Sequence, residues 1–228
     1  MTTVNLSKNT FSILKNFATL NSNLLVKPGN VIKTITPSKN GMAVATVEET
    51  FDTEFGIWDL NKFLGVVSLF NNPNFTFGEK SVKIKNGGDS IVNYYYSEPK
   101  LLSVPTKDVN MPPVDLSIEL TEKNFLELQK ASSVMQLPDL IFTSDDDKII
   151  VMVSDISDPT SNSYKITLAT PESSVPEFMF HFKMENIKIL QGDYKINFAN
   201  NIVGEFVNKN IPLKYWFAME ANTSRYDG

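Results

Sequence analysis

The sequence predicts an α+β protein made of two similar domains, each with two helices packed on antiparallel sheets. Three observations carry that expectation. An opening helical pattern returns 114 positions later, half of the 228 residues: Leu6, Phe11, Leu14 and Leu20 recur as Leu120, Phe125, Leu128 and Val134. Runs of period-two alternation, broken by Asn-Gly and Gly-Gly turns, follow each helix. A proline-rich stretch holding Pro99, Pro105, Pro112 and Pro113 lies near the midpoint, where the repeat puts a boundary. The domains are therefore expected at 1–98 and 119–228, joined by an extended linker at 99–118.

Taken in order, residues 7–22 read as an amphipathic helix with Ser7 as N-cap. Phe11, Ile13, Leu14, Phe17, Ala18 and Leu20 share one side; Lys8, Ser12, Lys15, Asn16 and Thr19 share the other. Lys27-Pro28-Gly29 ends the segment with turn chemistry. Residues 31–57 alternate as strands, interrupted by Pro37 and by Asn40-Gly41. A second helix, capped by Asp59, is predicted over 59–70, and Gly65 within it hints at close packing. Strands follow at 74–85 and 91–97, with Asn86-Gly87-Gly88-Asp89 as a hairpin turn. The second half repeats the order: a helix at 121–135, strands at 139–153, 163–170 and 177–182, a short helix at 183–190, then strands at 193–199, 202–208 and 213–220.

Composition bounds the function classes. A 42% hydrophobic and 21% charged make-up is that of an ordinary globular chain. There is no cysteine, hence no disulfide, thiolate nucleophile or thiolate metal site, which fits a reducing compartment. The start, Met1-Thr2-Thr3-Val4-Asn5, has neither the basic flank nor the apolar run of a secretory signal, and no apolar stretch is long enough to span a membrane. The net charge of −5 argues against a nucleic-acid binder, unless the charges are unevenly placed. They are. The four predicted helices carry seven lysines (Lys8, Lys15, Lys62, Lys123, Lys130, Lys183 and Lys188) against Asp59, Glu122, Glu127 and Glu185, a net +3 that leaves −8 for the rest. Basic helices on an acidic body can steer a polyanion to one surface, although lysines also simply solvate exposed helix faces.

No catalytic set emerges. His181, the only histidine, alternates with Phe178, Phe180 and Phe182 and reads as a structural or surface residue. Asp145-Asp146-Asp147 lacks the spacing of a calcium loop and reads as an acidic hairpin turn. Gly87-Gly88 belongs to no phosphate-loop motif, and Asp52 with Glu54 reads as a solvated strand edge. The chain is not expected to be an enzyme or to need a cofactor or metal.

Several blocks carry a family resemblance. Leu6-Ser7-Lys8-Asn9-Thr10, Leu14-Lys15-Asn16-Phe17-Ala18-Thr19 and Trp58-Asp59-Leu60-Asn61-Lys62-Phe63-Leu64-Gly65 resemble the replicative sliding clamp of T-even bacteriophages, itself related in fold to proliferating cell nuclear antigen. Gly192-Asp193-Tyr194-Lys195 and the stretch from Tyr215 to Ala221 add to the likeness, which spans essentially the whole chain. It implies the DNA clamp fold, a homotrimer closing into a pseudo-sixfold ring, and a processivity factor that encircles double-stranded DNA without reading sequence. It implies no chemistry, and as partners a DNA polymerase C-terminal peptide, an ATP-dependent clamp loader and late-transcription sigma or co-activator proteins, in the cytoplasm of an infected bacterium.

By carry-over, the seven lysines named above would line the DNA channel. Twenty lysines and one arginine, Arg225, suit weak, non-bidentate contacts to phosphates. The resemblance puts the partner-peptide pocket beside the linker and the C-terminal strand, with Leu101, Leu102, Val104, Met111, Trp216 and Ala218, and with Met42 and Val44 as a wall. Trp216 and Leu102 read equally well as core. A head-to-tail ring needs two unlike edge strands, for which 91–97 and 163–169 are the candidates. The competing reading is a two-domain structural or adaptor protein that binds only other proteins.

Overall fold

The structure, a computed structural model, describes residues 3–199 and 202–228. The chain divides into two compact units, Met1–Asp108 and Val109–Gly228.

The first unit runs β1 (Thr3–Val4), α1 (Lys8–Leu20), β2 (Leu24–Val26), β3 (Gly29–Ile35), β4 (Gly41–Phe51), β5 (Phe55–Ile57), α2 (Leu60–Val67), β6 (Asn74–Phe77), β7 (Ser81–Lys85) and β8 (Ile91–Tyr95). Its strands pair antiparallel in the orders β5-β2-β3-β4 and β1-β6-β7-β8. Helix α1 starts where Ser7 Oγ accepts the Thr10 N–H at 3.1 Å. The buried Glu49 of β4 takes both the Ser7 N–H and the Thr10 hydroxyl, which fixes the helix start to the sheet. Ile13, Leu14, Phe17 and Leu20 are buried, while Lys8, Ser12 and Lys15 are exposed, as the periodicity requires. Asp59 caps α2 through the Lys62 N–H at 2.9 Å. The close packing expected at Gly65 is not found: a side chain there would meet nothing within 4 Å. Phe55 stacks on Phe77 at 4.8 Å and Phe51 meets Phe77 edge-on at 5.5 Å, at the centre of this core. Such pairs add about 0.5–1.5 kcal/mol to burial alone.

The second unit runs β9 (Leu116–Leu120), α3 (Glu122–Met135), β10 (Asp139–Asp145), β11 (Lys148–Ser154), β12 (Tyr164–Ala169), β13 (Phe178–Lys183), β14 (Tyr194–Ala199), β15 (Val203–Asn208), β16 (Leu213–Ala218) and β17 (Arg225–Tyr226). The strand orders are β12-β11-β10-β13-β17 and β16-β15-β14-β9, all antiparallel. Strand β9 begins inside the range expected to be linker, because Ile118 and Leu120 find partners on β14 and are buried. Phe180 stacks on Phe198 at 4.3 Å, with Phe142, Phe182 and Phe206 around them.

The repeat is visible in three dimensions, with a limit. Thr121 caps α3 as Ser7 caps α1, and Phe125 and Leu128 are buried. The fourth match fails: Leu20 is buried, whereas Val134 is 74% exposed. The helix predicted at 183–190 is absent, so the described residues of the second unit hold one α-helix rather than two. Phe178, Phe180 and Phe182 extend β13 to Lys183; a single 3-10 turn follows at Met184–Asn186, and Ile187 and Ile189 are then buried alternately. A period of two governs this stretch, and α-helical spacing would put those two isoleucines on opposite sides, so that both could not be buried against one sheet.

Candidate functional site

Three helices present their lysines to solvent because their apolar sides are spent on the sheets. On α1, Lys8 and Lys15 lie two turns apart on one exposed side. Both border a cleft of about 550 Å³ with Phe11, Leu64, Val67 and Phe70. Lys62 sits in the first turn of α2, its Nζ 3.7 Å from Asp59. On α3, Lys123 Nζ is 4.0 Å from Glu127 and Lys130 is exposed. Exposed pairs of this kind contribute about 0–1 kcal/mol, so they leave the ammonium groups available to a polyanion.

Lys183 and Lys188 depart from the expectation. Lys183 ends β13, and its Nζ donates to Asp139 Oδ1 at 2.5 Å; Lys188 lies in the extended stretch after the 3-10 turn. Asp139 is 1% exposed and is also met by His181 Nε2 at 2.8 Å and by the Ile156 N–H at 2.8 Å. Its burial opposes charge, yet the bonds from Lys183, Ile156 and His181 prevail and hold its carboxyl below the usual range. The Asp139 bond raises Lys183 in turn. His181 is buried, with Nδ1 2.6 Å from Thr223 Oγ1, so it ties the C-terminal segment to β13.

The pocket residues sort by strand face. On β16, Tyr215 and Phe217 are buried in the core, which turns Trp216 and Ala218 to the other face. Trp216 is half-buried, and its indole nitrogen is enclosed without a hydrogen-bond partner among the described residues. On β4, Met42 is buried and Val44 half-buried, opposite Ile35 and Lys33 of β3. Leu101 is 59% exposed, while Leu102 rests on Gly56, where an added side chain would come within 2.7 Å of it. Val104 and Met111 are half-buried. Two residues that sequence reasoning missed hold this connector: Asn21 Nδ2 donates to Ser103 O at 2.8 Å, and the Ser103 N–H donates to Asn23 Oδ1 at 2.9 Å. Their only sequence signal is a pair of asparagines at a helix end, followed by an apolar strand.

Strand β8 closes one side of its sheet and β12 one side of its own, each pairing on a single flank. Ile91 and Tyr95 on β8 are 51% and 72% exposed. Asp146 and Asp147 form the turn between β10 and β11 in the left-handed region, as the acidic-turn reading expects. Asp52 and Glu54 lie in the bend between β4 and β5 rather than on a strand, since Phe51 and Phe55 on either side are drawn into the same core. Among the described residues no helix is long and apolar enough to cross a membrane.

Residues 7–100 match the family described as DNA polymerase processivity factor, and residues 117–221 match the C-terminal domain of the gp45 sliding clamp. The chain is 30% identical to the sliding clamp of Enterobacteria phage T4 over 196 residues, 84% of this chain and 85% of that one. It is 27% identical to the sliding clamp of Vibrio phage KVP40, covering 95% of this chain and 99% of that one. Its fold is that of A. fulgidus PCNA, solved with the C-terminal region of FEN-1, at a TM-score of 0.69, 15% identity and full coverage of both chains. Matched at both ends and over most of its length, the chain belongs to the sliding clamp family of DNA polymerase processivity factors.

Proposed function

We propose that this clamp acts as a homotrimeric ring that encircles duplex DNA and tethers the replicative polymerase. The observation that carries the reading is the shared exposure of Lys8, Lys15, Lys62, Lys123 and Lys130 on three helices of a −5 chain. Lysine ammoniums attract phosphates without bidentate geometry, so the duplex is held yet free to slide, and an acidic body limits binding elsewhere. Lys183 and Lys188 are secondary members, the first partly neutralised by Asp139. The unlike edges β8 and β12 supply the head-to-tail joint. The segment 99–118 connects domains at 1–98 and 119–228, with β9 starting before its end.

The polymerase C-terminal peptide docks at the connector, with Leu101, Leu102, Val104, Met111, Val44, Trp216 and Ala218 as its apolar contacts, while Met42 is buried. The C-terminal region of FEN-1 bound to A. fulgidus PCNA supports recognition of a partner's C-terminal segment by this fold. An ATP-dependent loader opens the ring, and late-transcription sigma or co-activator proteins bind the clamp as well, in the cytoplasm of the infected host. Native mass spectrometry is expected to give a trimer near three times 25.6 kDa. A strictly monomeric chain at high concentration refutes the ring. Absence of stimulated long-tract synthesis on loaded, primed circular DNA refutes the tethering role.

A further inference from the structure

A groove of about 410 Å³ in the first unit lies against the connector segment Val104–Asp108, and of the expected pocket residues only Val104 lines it. Its floor is apolar: Leu25 of β2 stands opposite Lys33 of β3, Val31 is 40% exposed, and Val104 and Pro105 form the connector wall. Its rim is basic. Lys27, Lys33 and Lys107 stand there against one acid, Asp108, on a chain whose net charge is −5. Asp108 is held on Lys33, so the groove already accepts one carboxylate of its own chain. Lys27 and Lys107 make no ion pair among the described residues and are exposed.

We infer that this groove is a second docking site, for a partner segment that alternates carboxylates with apolar side chains. The carboxylates sit on Lys27 and Lys107 as Asp108 sits on Lys33, and the apolar groups cover Val31 and Leu25. A nucleic-acid backbone would satisfy the lysines but gain nothing from that floor, which favours the peptide. The inference extends the tethering role proposed above and rests on it for its biological meaning.

The test titrates the full-length protein with a fluorescent peptide alternating Glu and Leu, read by anisotropy, beside peptides alternating Lys with Leu and Glu with Ser. The Glu–Leu peptide is expected to bind best. Lys27→Glu combined with Lys107→Glu should weaken it at least about fivefold, the loss of two exposed ion pairs, and Lys27→Gln with Lys107→Gln should weaken it less. Equal affinity for the charge-reversed variant, or for the Lys–Leu or Glu–Ser peptide, overturns the assignment. Displacement of the peptide by a short DNA duplex overturns it too, and gives the groove to a polyanion. Synthesis on circular DNA is scored separately: failure of the wild-type chain there refutes tethering, while the peptide titration still reads the groove itself.

Discussion

His181 Nε2 lies 2.8 Å from Asp139 Oδ1 in the interior of the second unit, and that same oxygen receives Lys183. One buried carboxylate thereby joins the start of β10, the end of β13 and, through Thr223 on the other imidazole nitrogen, the C-terminal segment. A group with this many dependants cannot be neutralised cheaply.

Asp139→Asn is expected to lower stability by about 2–3 kcal/mol, toward the low end for a broken buried pair because Lys183 reaches water. Urea denaturation measures it. The pH dependence follows from the depressed carboxyl: its contribution is complete above the ordinary value of 3.8 and is lost as pH falls through the lower folded value. The variant should therefore lose that part of the acid limb, while the wild type keeps it.

Lys15→Glu with Lys130→Glu should weaken retention of the loaded clamp on circular DNA, more so at low salt, and leave the trimer intact. Both side chains are exposed on helices whose buried sides are untouched, so folding should be unaffected. Gel filtration and DNA retention, measured together, check this; loss of the trimer would remove these lysines from the proposed channel.

Asn21→Ala removes two donors, to Ile35 O at 2.8 Å and to Ser103 O at 2.8 Å, and the acceptor of the Asn23 N–H at 2.9 Å. Each buried group left unpaired costs about 1–3 kcal/mol. A loss of about 3 kcal/mol is expected, with faster proteolytic cleavage between Leu101 and Asp108. Unchanged cleavage would mean that the connector is held by other means.

Gly56→Ala places a methyl 2.5 Å from Ser97 O and 2.7 Å from Leu102 Cδ1. The first contact is backbone and cannot swing away, so a loss of about 1–3 kcal/mol is expected, read as a lower melting temperature. Leu102→Ala in the same background relieves only the second contact and should restore less than half of it.

Much of this was legible in the sequence. Ser7 and Asp59 announced two helix starts, and the alternation of Tyr215 and Phe217 with Trp216 and Ala218 announced two strand faces. Which face is inside was not legible, because period two is symmetric until another sheet claims one side. The stretch 183–190 was misread because Lys183, Met184, Glu185 and Lys188 suit a helix locally, while Ile187 and Ile189 obey the core. Asn21 and Asn23 carried no sign of their partner at Ser103, some 80 residues away, since a polar side chain does not name its acceptor. The lysines were found as residues, and the exposure that gives them a common role came only with the packed helices.

The asparagines also give the connector a mechanical character. Asn21 is the residue at which α1 ends, and it grips Ser103 directly. Under the proposed function, a pull delivered to the connector by a tethered enzyme is transmitted through the Asn21 amide to the helix that carries Lys8 and Lys15. In the proposed ring, strain imposed at the docking site reaches the proposed DNA-facing helix through the Asn21–Ser103 hydrogen bond of 2.8 Å, which ties the connector to the helix end.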